Sequence, residues 1–327
     1  MSESFREQHG IVLADKPRGL GSTPLVSRLR GHLLDRARAA GHAPKKGGRK
    51  IRVGHTGTLD RFASGLMILV VGHGTAFADH FLHQDKSYLA DFAFGRFTDT
   101  HDPQGEVLEE KSPEEARRFL EQNRARVEEA VGAFREMTLQ IPPVYSALKK
   151  DGQRFSDRAR RGDVESPAPR KITIHSSEIR EWDGAGAVVR AEIAVSSGTY
   201  IRALARDLSE TLGFPLHLSD LRRLNIGSHR LNDDCWSPRE GEDSPPEPVI
   251  TSLEQALGDW PRLEARAEDV PRIKNGIQLE YNRLKPSPGF KPDAEALVTE
   301  PGGRILAWAE KRRAGDGRIR YRRVFSD

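Results

Sequence analysis

Short apolar runs and alternating apolar and polar positions along the chain predict several β-strands. Leu66–Val71 is a short, continuous apolar run, which is typical of a buried strand. Ile172–Ile179 and Val188–Val195 alternate instead, and the glycine-containing turn between them favours their pairing as neighbours. The apolar run Ile11–Ala14 and the partly alternating segment from Lys86 onward each add a further strand.

Helical segments lie between these strands. Ser112 can cap a helix over Pro113–Phe134, which carries two glutamates in its first turn, where the helix dipole favours acids. An earlier helix begins near Ser22 or Thr23, either of which can cap it. The glycine-rich, basic residues 36–50 that follow have no apolar period, so we predict a loop there.

The length and one proline-rich segment predict more than one structural unit. A chain of 327 residues favours two domains, or one large domain with a small appendage. Residues 233–248 contain four prolines and six acids with almost no apolar side chains, which is typical of a linker. Short apolar segments beyond about Arg262 predict a small β domain. We therefore divide the chain into residues 10–232, a linker and connecting segment over 233–261, and residues 262–327.

Basic residues are clustered although the formal net charge is only +4. Residues 28–54 contain nine Lys or Arg and a single acid, Asp35, and residues 304–323 are also rich in Arg. Such clusters suit a polyanionic partner through phosphate contacts. A solvated charged face is the alternative interpretation of each cluster.

Cysteine usage and hydropathy exclude several classes of protein. The single cysteine, Cys235, excludes an intramolecular disulfide and a thiolate zinc cluster. No apolar run approaches the roughly 20 residues of a membrane span. The first ten residues lack the apolar core of a signal peptide, so we expect a cytoplasmic protein without membrane association.

The glycine-rich stretch Val53–Gly65 holds the most conspicuous candidate for chemistry, the carboxylate of Asp60. No zinc-protease, phosphate-loop, dinucleotide-binding or serine-hydrolase motif occurs in the chain. What remains is a carboxylate that acts as nucleophile or base on a polyanionic substrate. Arg202, at the entry of a helix predicted after Tyr200, is a candidate partner for Asp60. From the residues alone, a purely structural Asp–Arg pair is the more ordinary interpretation.

Seven short segments, in this order, resemble the family of bacterial tRNA pseudouridine synthase B, the TruB family. They are GIVLADKPRG (10–19), GHTGTLD (54–60), ASGL (63–66), DKSY (85–88), TDTHDPQGE (98–106), PPVYSALK (142–149) and SGTYIRAL (197–204). The resemblance covers roughly Gly10 to Gly227, and its specificity lies in the order of the segments.

The resemblance implies both a fold and an activity. The expected fold is α+β, with a catalytic domain built on a bent, largely antiparallel mixed sheet and a small C-terminal PUA-like RNA-binding domain. The implied reaction isomerises uridine 55 in the T-arm of tRNA, with neither a metal nor an organic cofactor. We also expect a monomer that needs no obligatory protein partner. Whether attack falls on the ribose C1′ or on pyrimidine C6 stays open.

Site residues carry over by motif position. Asp60 resembles the catalytic aspartate, and Arg202 resembles the arginine that pairs with it. Tyr88 resembles the aromatic side chain that stacks on the flipped uracil and assists removal of the C5 proton. The remaining matches are His55 in the RNA-binding cleft, Tyr200 as a substrate contact, Leu221 in the pocket, and Lys16 with Pro17 as a structural motif.

Three departures and two alternatives accompany this interpretation. Arg61 and Phe62 stand where the family usually has Pro and Leu, residues 34–50 are longer and more basic than usual, and residues 156–158 replace a step that is commonly aromatic and apolar. One alternative is a non-catalytic tRNA-binding or tRNA-folding protein with the same fold. The other is a guide-RNA-dependent pseudouridine synthase that works with partner proteins.

Overall fold

The computed structural model describes residues 9–41, 51–145, 149–150, 153–155, 158, 161, 165–238, 246–291, 294–310 and 317–325. The predicted basic loop lies mostly outside these residues, as do Ser156 and Asp157. Within the described ranges, no helix is both long and apolar enough to cross a membrane.

Strands dominate the described structure. In chain order they are β1 (Gly10–Lys16), β2 (Val53–His55), β3 (Ser64–Val71), β4 (Lys86–Phe94), β5 (Arg96–Thr98), β6 (Val107–Glu110), β7 (Leu139–Gln140), β8 (Lys149–Lys150), β9 (Gln153–Arg154), β10 (Arg170–Lys171), β11 (Ile174–Asp183), β12 (Val188–Val195), β13 (Leu216–Ile226), β14 (His229–Arg230), β15 (Thr251–Ser252), β16 (Arg262–Ala265), β17 (Leu284–Pro286), β18 (Ala296–Thr299), β19 (Ile305–Ala309) and β20 (Tyr321–Val324).

Helices fill the connections between the strands. The α-helices are α1 (Ser22–Ala39), α2 (Ala78–Leu82), α3 (Pro113–Gln122), α4 (Arg124–Gly132), α5 (Ile201–Leu212), α6 (Leu253–Ala256) and α7 (Val270–Lys274). Short 3-10 turns lie at Gly72–Phe77, Ala133–Glu136, Ala267–Asp269 and Tyr281–Arg283.

One large mixed sheet forms the centre of the molecule. Its strand order is β11-β12-β4-β13-β3-β1-β15, with β2 paired to β3 and β14 to β13. All its pairs are antiparallel except β3 with β13. The predicted pairing of β11 with β12 is confirmed. The prediction of an α+β fold on a largely antiparallel mixed sheet is therefore confirmed.

Strand β3 is buried on both faces, which explains its unbroken apolar sequence. Met67, Leu69 and Val71 belong to the main core beneath the helices. Leu66 and Ile68 belong to a second apolar cluster on the other face. Because both faces of the strand are covered from Leu66 to Val71, no position in that run favours a polar side chain.

The C-terminal region is a five-stranded sheet of order β17-β16-β18-β19-β20 with an apolar core of its own. It packs on the large sheet through aromatic rings. Phe77 stacks on Trp308 with 5.0 Å between ring centroids and on Phe325 with 5.7 Å. Trp236, at the start of the predicted linker, is buried in the main core and donates its indole N–H to the Pro246 carbonyl at 2.8 Å.

Helix α1 departs from its prediction at both ends. Its N-cap residue is Gly21, with no side-chain cap, so neither Ser22 nor Thr23 has that role. The helix continues to Ala39 because Leu33 and Ala37, four residues apart, extend its buried stripe. Residues 36–39, the first part of the predicted loop, therefore belong to the helix.

The predicted helix over 113–134 is confirmed in type but is interrupted. Ser112 accepts a hydrogen bond from the Glu115 backbone, and the Glu115 side chain bonds back to the Ser112 N–H, which forms a capping box. At Asn123 the backbone leaves the helical region, and the Asn123 side chain donates to the Phe119 carbonyl at 2.8 Å. The chain then continues as α4.

Candidate active site

Asp60 lies in the turn between β2 and β3, and local hydrogen bonds hold this turn in place. The Ser22 hydroxyl donates to the Leu59 carbonyl and accepts from the Leu59 N–H, both at 3.0 Å. The Ala63 N–H donates to the Asp60 carbonyl at 3.2 Å. The turn that presents the carboxylate is thus fixed to the first turn of α1, and this is the role of Ser22.

Lys16, the last residue of β1, also anchors the Asp60 turn. Its ammonium group is fully buried and donates to the carbonyls of Pro17 at 3.1 Å, Leu20 at 2.7 Å and Ala63 at 2.6 Å. Burial lowers the pKa of Lys16 to about 8, although the nearby Asp60 carboxylate acts in the opposite direction. These contacts support the prediction that Lys16 and Pro17 form a structural motif.

We expect Lys16→Met to lower the free energy of unfolding by roughly 3 kcal/mol, since three carbonyls lose their donor at about 1 kcal/mol or more each. The folded-state pKa of about 8 lies below the ordinary 10.5, so the unfolded chain binds more protons between these values. Wild-type stability relative to the variant should therefore rise from pH 8 to pH 10. Urea unfolding at both pH values measures this, and an unchanged difference would contradict it.

Arg61 and Phe62, the two departures from the usual family residues, support the turn. The Gly19 N–H donates to the Arg61 carbonyl at 2.7 Å, and the Arg61 side chain donates to the Gly19 carbonyl at 3.3 Å. Phe62 is buried in the main core. Arg61 thus ties the turn to Gly19, and Phe62 anchors it in the main core.

Gly65 ends the turn where β3 meets β13. Its φ is +106°, and a Cβ placed there would lie 2.4 Å from the Arg223 carbonyl oxygen. Any other residue would have to push the two strands apart, so this position favours glycine for both space and conformation.

Arg202 reaches Asp60 from the second residue of α5. Its Nε donates to Asp60 Oδ2 at 2.8 Å, and its Nη2 lies 3.5 Å from Asp60 Oδ1. The Arg202 side chain is 6% exposed, whereas the Asp60 side chain is 38% exposed. The guanidinium is therefore fixed inside the protein while the carboxylate stays open to a ligand.

Asp102, which the sequence did not single out, lies on the same guanidinium. Its Oδ2 is 3.5 Å from Arg202 Nη1, and its side chain is only 7% exposed. Asp102 Oδ1 accepts from the Thr100 hydroxyl at 2.7 Å and from the Gln104 N–H at 2.9 Å. The one signal in the sequence was its place in the carboxylate-rich turn over 98–106. Arg202 thus bridges a buried carboxylate and a partly exposed one.

Tyr88 and Leu221 lie on neighbouring central strands, β4 and β13. Both side chains are buried and belong to the same core as Leu59 of the Asp60 turn. The register pairs Tyr88 with Arg223 and Leu221 with Ala90, so the two predicted pocket residues are diagonal neighbours on one face. The sheet therefore presents a tyrosine and a leucine on the face that carries the Asp60 turn.

His55 and Tyr200 are partly exposed and lie at the ends of elements. His55 closes β2, and its Nδ1 lies 3.4 Å from the Gly57 N–H. Tyr200 is the N-cap residue of α5. His55 therefore precedes the Asp60 turn, and Tyr200 precedes the helix that delivers Arg202. Within the described ranges, no group of three or more His, Cys, Asp or Glu side chains is placed to hold a metal ion.

Comparison with known proteins identifies the family. The family model for the N-terminal domain of TruB family pseudouridylate synthases matches residues 45–201. The tRNA pseudouridine synthase B of Leptospira interrogans is 36% identical over 324 residues, which covers 97% of this chain and 94% of that protein. The chain belongs to the TruB family of pseudouridylate synthases. The resemblance stated from the motifs is confirmed.

Further comparisons agree with membership of the TruB family. The tRNA pseudouridine synthase B of Corynebacterium diphtheriae is 36% identical over 303 residues, which covers 90% of this chain and 94% of that protein. A solved Cbf5-Nop10-Gar1 complex contains a chain with the same fold, at a TM-score of 0.66 and 20% identity, over 100% of this chain and 88% of that one. As a TruB-family pseudouridine synthase, the protein is an isomerase.

Proposed function

We propose that the protein converts uridine 55 in the T-arm of tRNA to pseudouridine, with Asp60 as the catalytic nucleophile. The observation that carries this proposal is the asymmetric pair of Asp60 and Arg202. A buried guanidinium holds one edge of the carboxylate, and the carboxylate itself remains 38% exposed at the surface of the turn. A purely structural ion pair does not need its acid to be open, whereas a nucleophile does.

The reaction itself needs no external reactant, because uridine and pseudouridine are isomers. The bond from C1′ to N1 breaks, a bond from C1′ to C5 forms, and the proton on C5 is replaced by one on N1. Asp60 can attack either C1′ or C6, since a carboxylate oxygen can add to both. In either route Arg202 orients the carboxylate through Nε and Nη2.

The target base must leave its stack before a carboxylate can reach it, at a cost of a few kcal/mol. Stacking on an aromatic ring offsets part of this cost. Tyr88 supplies that ring in our proposal, and Leu221 on the adjacent strand supplies an apolar wall. His55 and Tyr200, at the rim of the turn, contact the RNA next to the flipped nucleotide.

Helix α1 carries four arginines, and we propose that their positive charge attracts the phosphates of the T-arm. Arg30 donates to the Val53 carbonyl at 3.0 Å, which ties α1 to the strand that ends at His55. The helix leads into the basic residues 42–50, which lie outside the described residues. We propose that this insertion adds phosphate contacts.

Deletion of residues 41–48 should weaken binding of a T-arm hairpin and flatten its salt dependence. The deletion removes two lysines. Each lost phosphate contact reduces the magnitude of the negative slope of log K against log salt by roughly 0.7 to 0.9. Fluorescence anisotropy at several salt concentrations measures this slope. The control removes two basic side chains of α3 instead, Arg117→Ala with Arg118→Ala, and should leave the slope unchanged. An unchanged slope in the deletion variant would identify the loop as a merely solvated surface.

Mass-spectrometric mapping of pseudouridine in tRNA incubated with the purified protein alone tests the proposed function. We expect a single new pseudouridine, at position 55. Product elsewhere would overturn the proposed substrate site. Product that appears only with an added guide RNA or protein partner would favour the guide-dependent alternative, and binding without any product would favour the non-catalytic one. The proposal also implies a monomer acting in the cytoplasm, which size-exclusion chromatography and cell fractionation can check.

A further inference from the structure

The chain between β7 and Tyr145 runs along the first turns of α5, and side chains of that helix hold it. This segment, Gln140–Tyr145, precedes the part of the PPVYSALK motif that lies outside the described residues. It contains Pro142 and Pro143, which have no backbone N–H and therefore cannot donate to a neighbouring strand. At these two positions the segment can be held only through its carbonyl oxygens and its side chains.

Two arginines of α5 use those carbonyls. Arg206 Nη1 donates to the Ile141 carbonyl at 3.2 Å, and Arg202 Nη2 donates to the Tyr145 carbonyl at 2.9 Å. Arg202 is also the residue that holds Asp60. The same Nη2 group therefore serves both the segment and the catalytic carboxylate.

Gln140 completes the attachment with a pair of hydrogen bonds to the Tyr200 backbone. Its Oε1 accepts from the Tyr200 N–H at 2.9 Å, and its Nε2 donates to the Tyr200 carbonyl at 3.1 Å. The Gln140 side chain is buried, with 3% of the residue exposed. Its own backbone pairs with Arg170 on β10. The Gln140 side-chain amide thus links strand β7 to the backbone of Tyr200, the N-cap residue of α5.

We propose that Gln140 is a positioning residue for catalysis. It fixes the register of the Gln140–Tyr145 segment against α5, and thereby fixes the guanidinium of Arg202 on Asp60. This inference rests on the proposed function of Asp60 and Arg202.

The physical basis is that the two ends of the segment are coupled. Gln140 holds the segment at one end, and the Tyr145 carbonyl accepts a hydrogen bond from Arg202 Nη2 at the other. If the segment slides along the helix, the Tyr145 carbonyl at 2.9 Å draws Nη2 away from Asp60 Oδ1 at 3.5 Å. Only the Nε contact with Asp60 Oδ2 at 2.8 Å then remains, so the carboxylate loses the second contact that fixes its orientation. A shift of about 1 Å in a catalytic group can cost on the order of a hundredfold in rate.

Gln140→Glu tests the proposal because it keeps the shape of the side chain and replaces only the donor. The new carboxylate still accepts from the Tyr200 N–H, but its second oxygen faces the Tyr200 carbonyl. We expect the single-turnover rate of pseudouridine formation to fall by about tenfold or more, by the misplacement argument. The dissociation constant for a T-arm hairpin should change by less than about threefold, since the variant removes no phosphate contact.

Low pH should restore part of the lost rate. A protonated carboxyl can donate to the Tyr200 carbonyl as the amide does, and burial beside a carbonyl raises the pKa of a carboxyl at this position. The ratio of the variant rate to the wild-type rate should therefore rise as pH falls. The matched control is Gln255→Glu, in the capping box of α6, which should leave rate, affinity and pH profile unchanged.

Hydrogen exchange provides a readout that is independent of activity. The Tyr200 N–H should exchange at least about tenfold faster in a Gln140→Ala variant, in which the amide is absent altogether. Unchanged exchange, or a Gln140→Glu rate equal to wild type at neutral pH, would overturn the inference. An inactive wild-type protein would contradict the proposed function instead, and the exchange result would then decide the structural part alone.

Discussion

The Asp60→Asn variant is expected to form no measurable pseudouridine on a T-arm hairpin while it still binds the hairpin. Asparagine keeps the shape of the side chain but cannot act as an anionic nucleophile. Loss of a nucleophile costs about four orders of magnitude in rate or more. Because 38% of the Asp60 side chain faces outward and the turn is held by Ser22 and Lys16, the fold should persist. Single-turnover assays and anisotropy measure the two quantities.

The chain offers a matched control for this variant in Asp91. Its carboxylate also receives two hydrogen bonds from one arginine, Arg190, at 2.7 and 2.8 Å, on the same large sheet. If Asp60 were merely a structural partner of Arg202, Asp60→Asn and Asp91→Asn would affect the reaction to the same small extent. A wild-type rate in Asp60→Asn would refute the site assignment.

The Arg202→Met variant should lose both activity and stability. Methionine leaves Asp102 buried without its cation and removes the donors to the carbonyls of Thr100 and Tyr145. Removing one partner of a buried ion pair costs about 3–5 kcal/mol. The rate should fall by roughly a hundredfold or more, because Asp60 loses the group that orients it. Urea unfolding and single-turnover kinetics measure these effects.

Arg202→Lys separates the two losses. Lysine keeps a positive charge near Asp102 but lacks the planar fork that contacts Asp60 and Tyr145 together. We therefore expect most of the stability to return while the rate stays low. Arg190→Met is the control. Arg190 is 38% exposed in its ion pair with Asp91, so this variant should lose less stability than Arg202→Met. A variant that recovers both stability and full rate would show that charge alone, and not the fork, is needed.

Much of the large sheet could be predicted from local pattern. The unbroken apolar run of β3 and the alternation in β11 and β12 each correspond to an observed strand. Burial on both faces produces a continuous apolar run, and burial on one face produces alternation. The cap at Ser112 was equally predictable, although the reciprocal bond from the Glu115 side chain was not predicted. The break at Asn123 and the continuation of α1 to Ala39 were missed, since packing decides where such a helix ends.

The site was only partly readable for a similar reason. Motif order identified Asp60, Tyr88 and Arg202 as candidates, and the family to which the chain belongs is now shown. Asp102 and Gln140 were not identified, because their roles depend on which groups lie opposite them. Ser22 was assigned to a helix cap, whereas it actually bonds to the Leu59 backbone 37 residues away.

The sequence by itself determined strands β1, β3, β4, β11 and β12, the family and the presence of one acid in a glycine-rich turn, because these follow from local periodicity and from short motifs. The tertiary structure established the contact of Arg202 with Asp60 across 142 positions, which the motifs had only implied. It alone decided that the same guanidinium also holds Asp102 and the Tyr145 carbonyl. Contacts of this kind arise where the large sheet brings separate turns and one helix end together. Their geometry depends on strand order and register, which no local pattern of side chains specifies.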